Sequence, residues 1–91
     1  MRESVIERYL HRQVTLAGGT TRKLKGRKND PDRLVIWPGC FASVQFVECK
    51  APDGRLRAGQ KREHRRLKNL GCRVFVIHTK QQVDTYVNFF K

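Results

Sequence analysis

Ser43-Val44-Gln45-Phe46-Val47-Glu48-Cys49-Lys50-Ala51-Pro52 reads as a strand running into a turn. Val44, Phe46, Val47 and Cys49 are residue types that bury well on both faces of a sheet, and Ala51-Pro52-Asp53-Gly54 behind them is turn chemistry. The stretch therefore predicts a central strand from about Ser43 to Lys50. Glu48 and Lys50 stand two apart in it, so both side chains project from one face while Cys49 projects from the other. Desolvating an acid and a base side by side seldom recovers their hydration for stability alone. A solvated cross-strand ion pair would need a wet strand face, and this strand has none. A site that requires the pair is the better reading.

Upstream, Pro31-Asp32 leads into Leu34-Val35-Ile36-Trp37, a β-branched and aromatic run stopped by Pro38-Gly39. The short connection to the Glu48 strand predicts an antiparallel hairpin, and a further strand near Thr20 to Lys25 completes a meander. Asp32 opens the middle strand, which places it beside the far end of the Glu48 strand. The two carboxylates are expected to converge on one hard cation. Asp30 competes for that position, but the place after Pro31 favours Asp32. Asp after proline is also an ordinary turn residue, and Glu-x-Lys alone is a common surface pattern. Each gains weight from the other.

Val5, Ile6, Tyr9, Leu10 and Val14 recur at helical spacing; Ser4 and Glu7 are placed for a capping box, and Gly18-Gly19 end the helix. A basic helix is expected from Leu56 to Leu70, with Gly71 at the left-handed C-cap. Gln60, His64 and Leu67 share one stripe of it, and Gln60 is expected to face the active strand. Arg73 to His78 reads as a strand. Thr79 with Gln82 opens a last helix whose Val83, Tyr86, Val87 and Phe90 face inward. The order is αβββαβα: one α/β (α+β) domain over residues 1–91, a mixed central sheet flanked by helices.

Twenty Lys plus Arg against eight Asp plus Glu give a formal net charge of +12, which favours a polyanionic partner, nucleic acid first. The runs Arg22 to Lys28 and Lys61 to Lys68 carry more one-signed charge than solubility requires. The longest apolar run, Val74 to Ile77, is too short to span a bilayer, so no membrane partner is expected. Cys40, Cys49 and Cys72 lack Cys-x-x-Cys spacing and read as small buried hydrophobes. His11, His64 and His78 have no ligand spacing either, which disfavours a zinc-stabilised interaction domain; His64 reads as packed or touching phosphate.

Pro31-Asp32 followed by Glu48-Cys49-Lys50 in this element order resembles the PD-(D/E)XK nuclease superfamily, with its restriction-endonuclease-like core. More specifically, the chain is similar to the virus-type replication-repair nuclease family. That similarity runs through Glu3, Ile6, Leu10, Gly18-Gly19, Lys23, Pro31-Asp32-Arg33-Leu34 and Val47-Glu48-Cys49-Lys50-Ala51-Pro52, then Gly54, Leu56, Gln60, Leu67, Gly71 and Val74. Asn29 stands where the family usually has Gly, and Asn also tolerates a left-handed backbone.

The resemblance implies a metal-dependent DNA endonuclease. Asp32, Glu48 and the main-chain carbonyl of Cys49 would hold Mg2+ or Mn2+; Lys50 would be the catalytic lysine, Gln60 a site-positioning residue and Glu3 a helix-borne site carboxylate, with Glu7 its competitor. It further implies branched DNA, a Holliday junction or flap met in replication, recombination or repair, and the cytoplasm of a bacterium or phage-infected host. Phosphate contacts are expected from Arg22, Lys23, Lys25, Arg27, Lys28, Arg33, Lys61, Arg62 and Arg65. A homodimer is expected because a thin core leaves apolar surface over, with Phe89 off the inward stripe. The competing reading is a non-catalytic basic nucleic-acid-binding module in which the acidic residues are incidental.

Overall fold

Ile6, Leu10 and Val14 are spaced four apart, and in the computed structural model, which describes residues 1–39 and 44–91, they form the fully buried stripe of α1, Glu3–Leu16. The Ser4–Glu7 capping box does not form, because the helix already begins at Glu3, with Arg2 as an N-cap that makes no side-chain bond. Glu7 is drawn away from the cap by two cations of the sheet. Its Oε1 lies 2.6 Å from Lys23 Nζ and 2.9 Å from Arg33 Nε.

The strands are β1 (Thr20–Lys23), β2 (Arg33–Ile36), β3 (Val44–Cys49) and β4 (Val74–Ile77), in the spatial order β1-β2-β3-β4. β1/β2 and β2/β3 pair antiparallel, as short connections allow; β3/β4 pair parallel, because α2 (Ala58–Asn69) carries the chain back in a crossover. β1 stops at Lys23 rather than Lys25, although Leu24 N adds one bond to Asp32 O at 2.9 Å. The basic helix starts at Ala58 rather than Leu56, and β4 is four residues rather than six. The start of β3 at Ser43, and Cys40 as a buried residue, lie outside the described residues.

One face of the sheet is apolar. Val35, Trp37, Val47, Cys49 and Ile77 pack there against α1 and against Val83, Tyr86 and Val87 of α3, Lys80–Phe90. Thr79 caps α3, its hydroxyl accepting from Gln82 N at 3.0 Å. Gln45 is a buried polar residue on that face: the Tyr86 hydroxyl donates to its Oε1 and accepts from Trp37 Nε1 at 3.3 Å. Burial pushes the Tyr86 hydroxyl up to about 12, so it remains a donor. The opposite face is different in kind. α2 covers it, and the buried residues of that helix are Gln60 and His64, set over Glu48. Among the described residues no helix is long and apolar enough to cross a membrane.

The α1–β1 junction is tight at one of its two glycines. Gly18 has φ +96° and room for a side chain, whereas a Cβ on Gly19 would lie 2.7 Å from Ile36 O and 2.9 Å from Val14 Cγ1. Gly19→Ala should therefore destabilise by about 1–3 kcal/mol through overpacking, and Gly19→Asn by more. At Gly18 the order reverses: Ala costs about 1–2 kcal/mol of left-handed strain and Asn less. Urea midpoints of the four variants check the two opposite orders.

Candidate active site

The site grows from the place where the β2–β3 ladder ends. Phe46 N and Lys50 N bond to Arg73 O and Ile77 O on the β4 side, so alternate amides of β3 point toward β2. Cys49 N is one of these, and the register continued past Arg33↔Val47 sets Pro31 opposite it. The Cys49 N–H instead bonds to the Asp32 side chain, with Oδ2 at 2.8 Å. Proline has no N–H, so Pro31 cannot supply a ladder donor to the Cys49 carbonyl. This rung fixes the Asp32 carboxylate beside Glu48. Glu3 comes in from the first turn of α1, and one oxygen from each of Glu3, Asp32 and Glu48 lies within 4.8 Å of the others.

Glu48 is the buried member, 1% exposed. Its Oε2 accepts from Gln60 Nε2 at 3.3 Å and lies 3.8 Å from Lys50 Nζ. Gln60 is held at its other end as well, where Oε1 accepts from Arg57 N at 2.9 Å in the first turn of α2. Glu48 Oε1 faces His64 Nε2 at 3.6 Å, and both atoms are buried without a hydrogen-bond partner among the described residues. Burial first, then the charge and hydrogen bond of Asp32, push Glu48 up to about 8; Lys50 pulls it down, and Glu3 adds a smaller upward push. Burial also raises the Cys49 thiol, leaving it a neutral core residue rather than a ligand by sulfur.

Asp32, Glu48, Lys50, Gln60 and Glu3 are thus gathered in one place, with the Cys49 main chain at its edge. Glu7, the competing carboxylate of α1, is engaged by Lys23 and Arg33. The basic residues fall into two groups. Arg33 is tied to Glu7 and to the Thr21 hydroxyl, and Arg27, though exposed, reaches Asp30 and Glu63. Arg22, Lys23, Lys25, Lys28, Lys61, Arg62 and Arg65 are exposed, although Lys23 also holds Glu7 and Arg22 bonds to the Thr20 hydroxyl. The sequence reading missed the contact of His64 with Glu48. The available signal was its place one turn beyond Gln60 on the same stripe.

The set combines oxygen donors for a hard cation with an ammonium group for a developing negative charge. No family model matches the chain. A protein of Acyrthosiphon pisum secondary endosymbiont phage 1, "Putative nuclease p44", is 43% identical over 79 residues, covering 85% of this chain and 83% of that protein. A solved structure described as "VRR_NUC domain" aligns with a TM-score of 0.84 and 34% identity, covering 98% of this chain and 97% of that one. The alignment takes in the helices and mixed four-stranded sheet described above, and by fold and sequence together this chain belongs to the virus-type replication-repair nuclease (VRR-NUC) domain family.

Proposed function

We propose that the protein is a divalent-cation-dependent DNA endonuclease acting on branched DNA. The observation that carries this reading is the meeting of three carboxylates, Glu3 of α1, Asp32 just before β2 and the buried Glu48 of β3, in which burial and the charge of the other two oppose the ionisation of Glu48. Lys50 is one basic group against three carboxyl groups. Oxygen donors in excess of local positive charge fit a hard dication such as Mg2+ or Mn2+. Asp32, Glu48 and the Cys49 carbonyl would hold it, and when bound it would polarise the phosphodiester and acidify a water.

The remaining work belongs to the side chains. The Lys50 ammonium, beside Glu48, stabilises charge gathering on the phosphate oxygens. Gln60 keeps the Glu48 carboxylate oriented from α2, and Glu3 contributes its charge from the solvent side. Hydrolysis joins the water oxygen to phosphorus and breaks a P–O bond of the strand; the proton lost by water is balanced by one gained at the leaving oxygen. A net charge of +12 supports a nucleic-acid substrate, and the groups gathered at the site suit a phosphate and its cation rather than a base edge. Selection by DNA structure follows, at Holliday junctions or flaps in replication, recombination or repair, in the cytoplasm where such DNA is found.

Two sites are needed for paired nicks across a junction. Phe89 is 77% exposed on the rim of a cavity of about 460 Å3 that Phe75, Tyr86 and Phe90 also line, beside the edge strand β4. A two-fold axis there would cover the apolar surface of both copies.

Cleavage of labelled junctions and flaps should require Mg2+ or Mn2+ and vanish in Asp32→Ala and Glu48→Ala. Lys50→Ala should bind DNA but cut roughly 100-fold more slowly. Full cutting in chelator would overturn the mechanism, and DNA binding without cutting by the parent would leave a binding module.

The Glu48 carboxyl, raised from 4.5 to about 8, binds its proton more tightly in the folded than in the unfolded chain. Its contribution therefore favours folding below pH 4.5 and is lost as pH rises through 4.5 to 8. Urea midpoints of the chelated protein should fall across that window, with a flatter profile in Glu48→Gln. Mg2+ should raise the parent's midpoint at pH 8 and leave the variant's nearly unmoved.

Light scattering at micromolar concentration should give a dimer that Phe89→Asp converts to monomer. A parent that is monomeric yet makes paired nicks would refute the dimer.

A further inference from the structure

Gln60 and His64 stand one helical turn apart on α2, and each approaches a different oxygen of one carboxylate. Gln60 Nε2 donates to Glu48 Oε2 at 3.3 Å, while His64 Nε2 stops 3.6 Å from Oε1. Both Oε1 and Nε2 are shut off from water, and neither has a hydrogen-bond partner among the described residues. Buried polar atoms are nearly always paired, because their lost hydration is otherwise uncompensated. Here two such atoms face each other across a gap only slightly wider than a bond, and a small turn of the carboxylate closes it.

We propose that His64 is a positioning residue of the nuclease site: its Nε2–H engages Glu48 Oε1 when a divalent cation draws the carboxylate into place. Gln60 and His64 then fix the two oxygens from one helix, leaving the other lone pairs of Glu48 to the side of Asp32 and Glu3. This rests on the cation-dependent reading above.

The surroundings favour a neutral donor. Burial first, then Lys68 and Lys50, hold His64 below the usual histidine range, against weaker upward pulls from Asp32 and Glu63. Those lysines also disfavour a second cation bound directly at Nε2. The side chain is 6% exposed, so it does not reach a phosphate from that position. Groups in this relation to metal ligands commonly change metal affinity or activity by about 10–100-fold when removed.

The test compares His64→Gln, which keeps a donor, with His64→Met, of similar length and without one. Mn2+ binding by calorimetry on the full chain without DNA should weaken about tenfold or more in His64→Met and recover most of that loss in His64→Gln. DNA affinity in chelator should match the parent in both, and cleavage should follow Mn2+ affinity. Equal Mn2+ affinity in parent and His64→Met, or equal loss in both variants, overturns the positioning role. So does a His64→Met that fails to fold while His64→Gln folds, because the donor then serves the fold. A parent that binds no Mn2+ overturns the cation-dependent reading itself, and the role of His64 with it.

Discussion

One hydrogen bond, from the Cys49 amide to the Asp32 carboxylate, joins the fold to the site. β2 runs out at Arg33, and without a partner the Cys49 N–H would be a stranded donor at the end of a central strand. Asp32 satisfies it with one oxygen, and in doing so is immobilised next to Glu48. Closing the hairpin and placing a carboxylate are one event. The Pro31 ring contributes by what it lacks, since an N–H at that position would offer the Cys49 carbonyl an ordinary ladder partner.

The two faces of the sheet divide the labour. On the α1–α3 side, Ile6, Leu10, Val14, Val47 and Val87 form a conventional core. On the α2 side the helix is docked largely through polar groups, with Gln60 and His64 over Glu48. A desolvated polar cluster contributes little net stability when its pairing is incomplete, and here two atoms have no partner among the described residues. The apolar face therefore supplies most of the burial that stabilises the domain, with Val74 adding to it from the α2 side. Gly19 shows how closely it is packed: the backbone of β2 approaches until no Cβ fits.

Much of this was legible in the sequence because it is written locally. The alternation that put Glu48 and Lys50 on one face of a buried strand, and the helical spacing of Ile6, Leu10 and Val14, need only neighbouring residues. Pro31-Asp32 and Gln60 acquired meaning through spacing and resemblance. What escaped depends on distant partners. The Ser4–Glu7 capping box is a sound local motif, but Glu7 finds Lys23 and Arg33, 16 and 26 residues away, and charged partners in a half-buried setting win over an exposed cap. Strand ends were misjudged because they are set where a register stops, as at Lys23 and Arg33. His64 was read without its partner because its orphaned nitrogen becomes visible only when α2 is laid on β3.

β1 leaves one margin of the sheet open, four residues long, with Arg22 and Lys23 at its exposed end. An open strand is a template on which other chains can add, and the usual protection is brevity and positive charge. β1 has both, and Glu7 restrains the Lys23 ammonium near the sheet while much of that side chain stays in water. Charge suited to a polyanion therefore also repels a second polycation of the same sequence at this margin. A very small domain keeps an uncapped sheet without the fibre-forming hazard that such an edge otherwise brings.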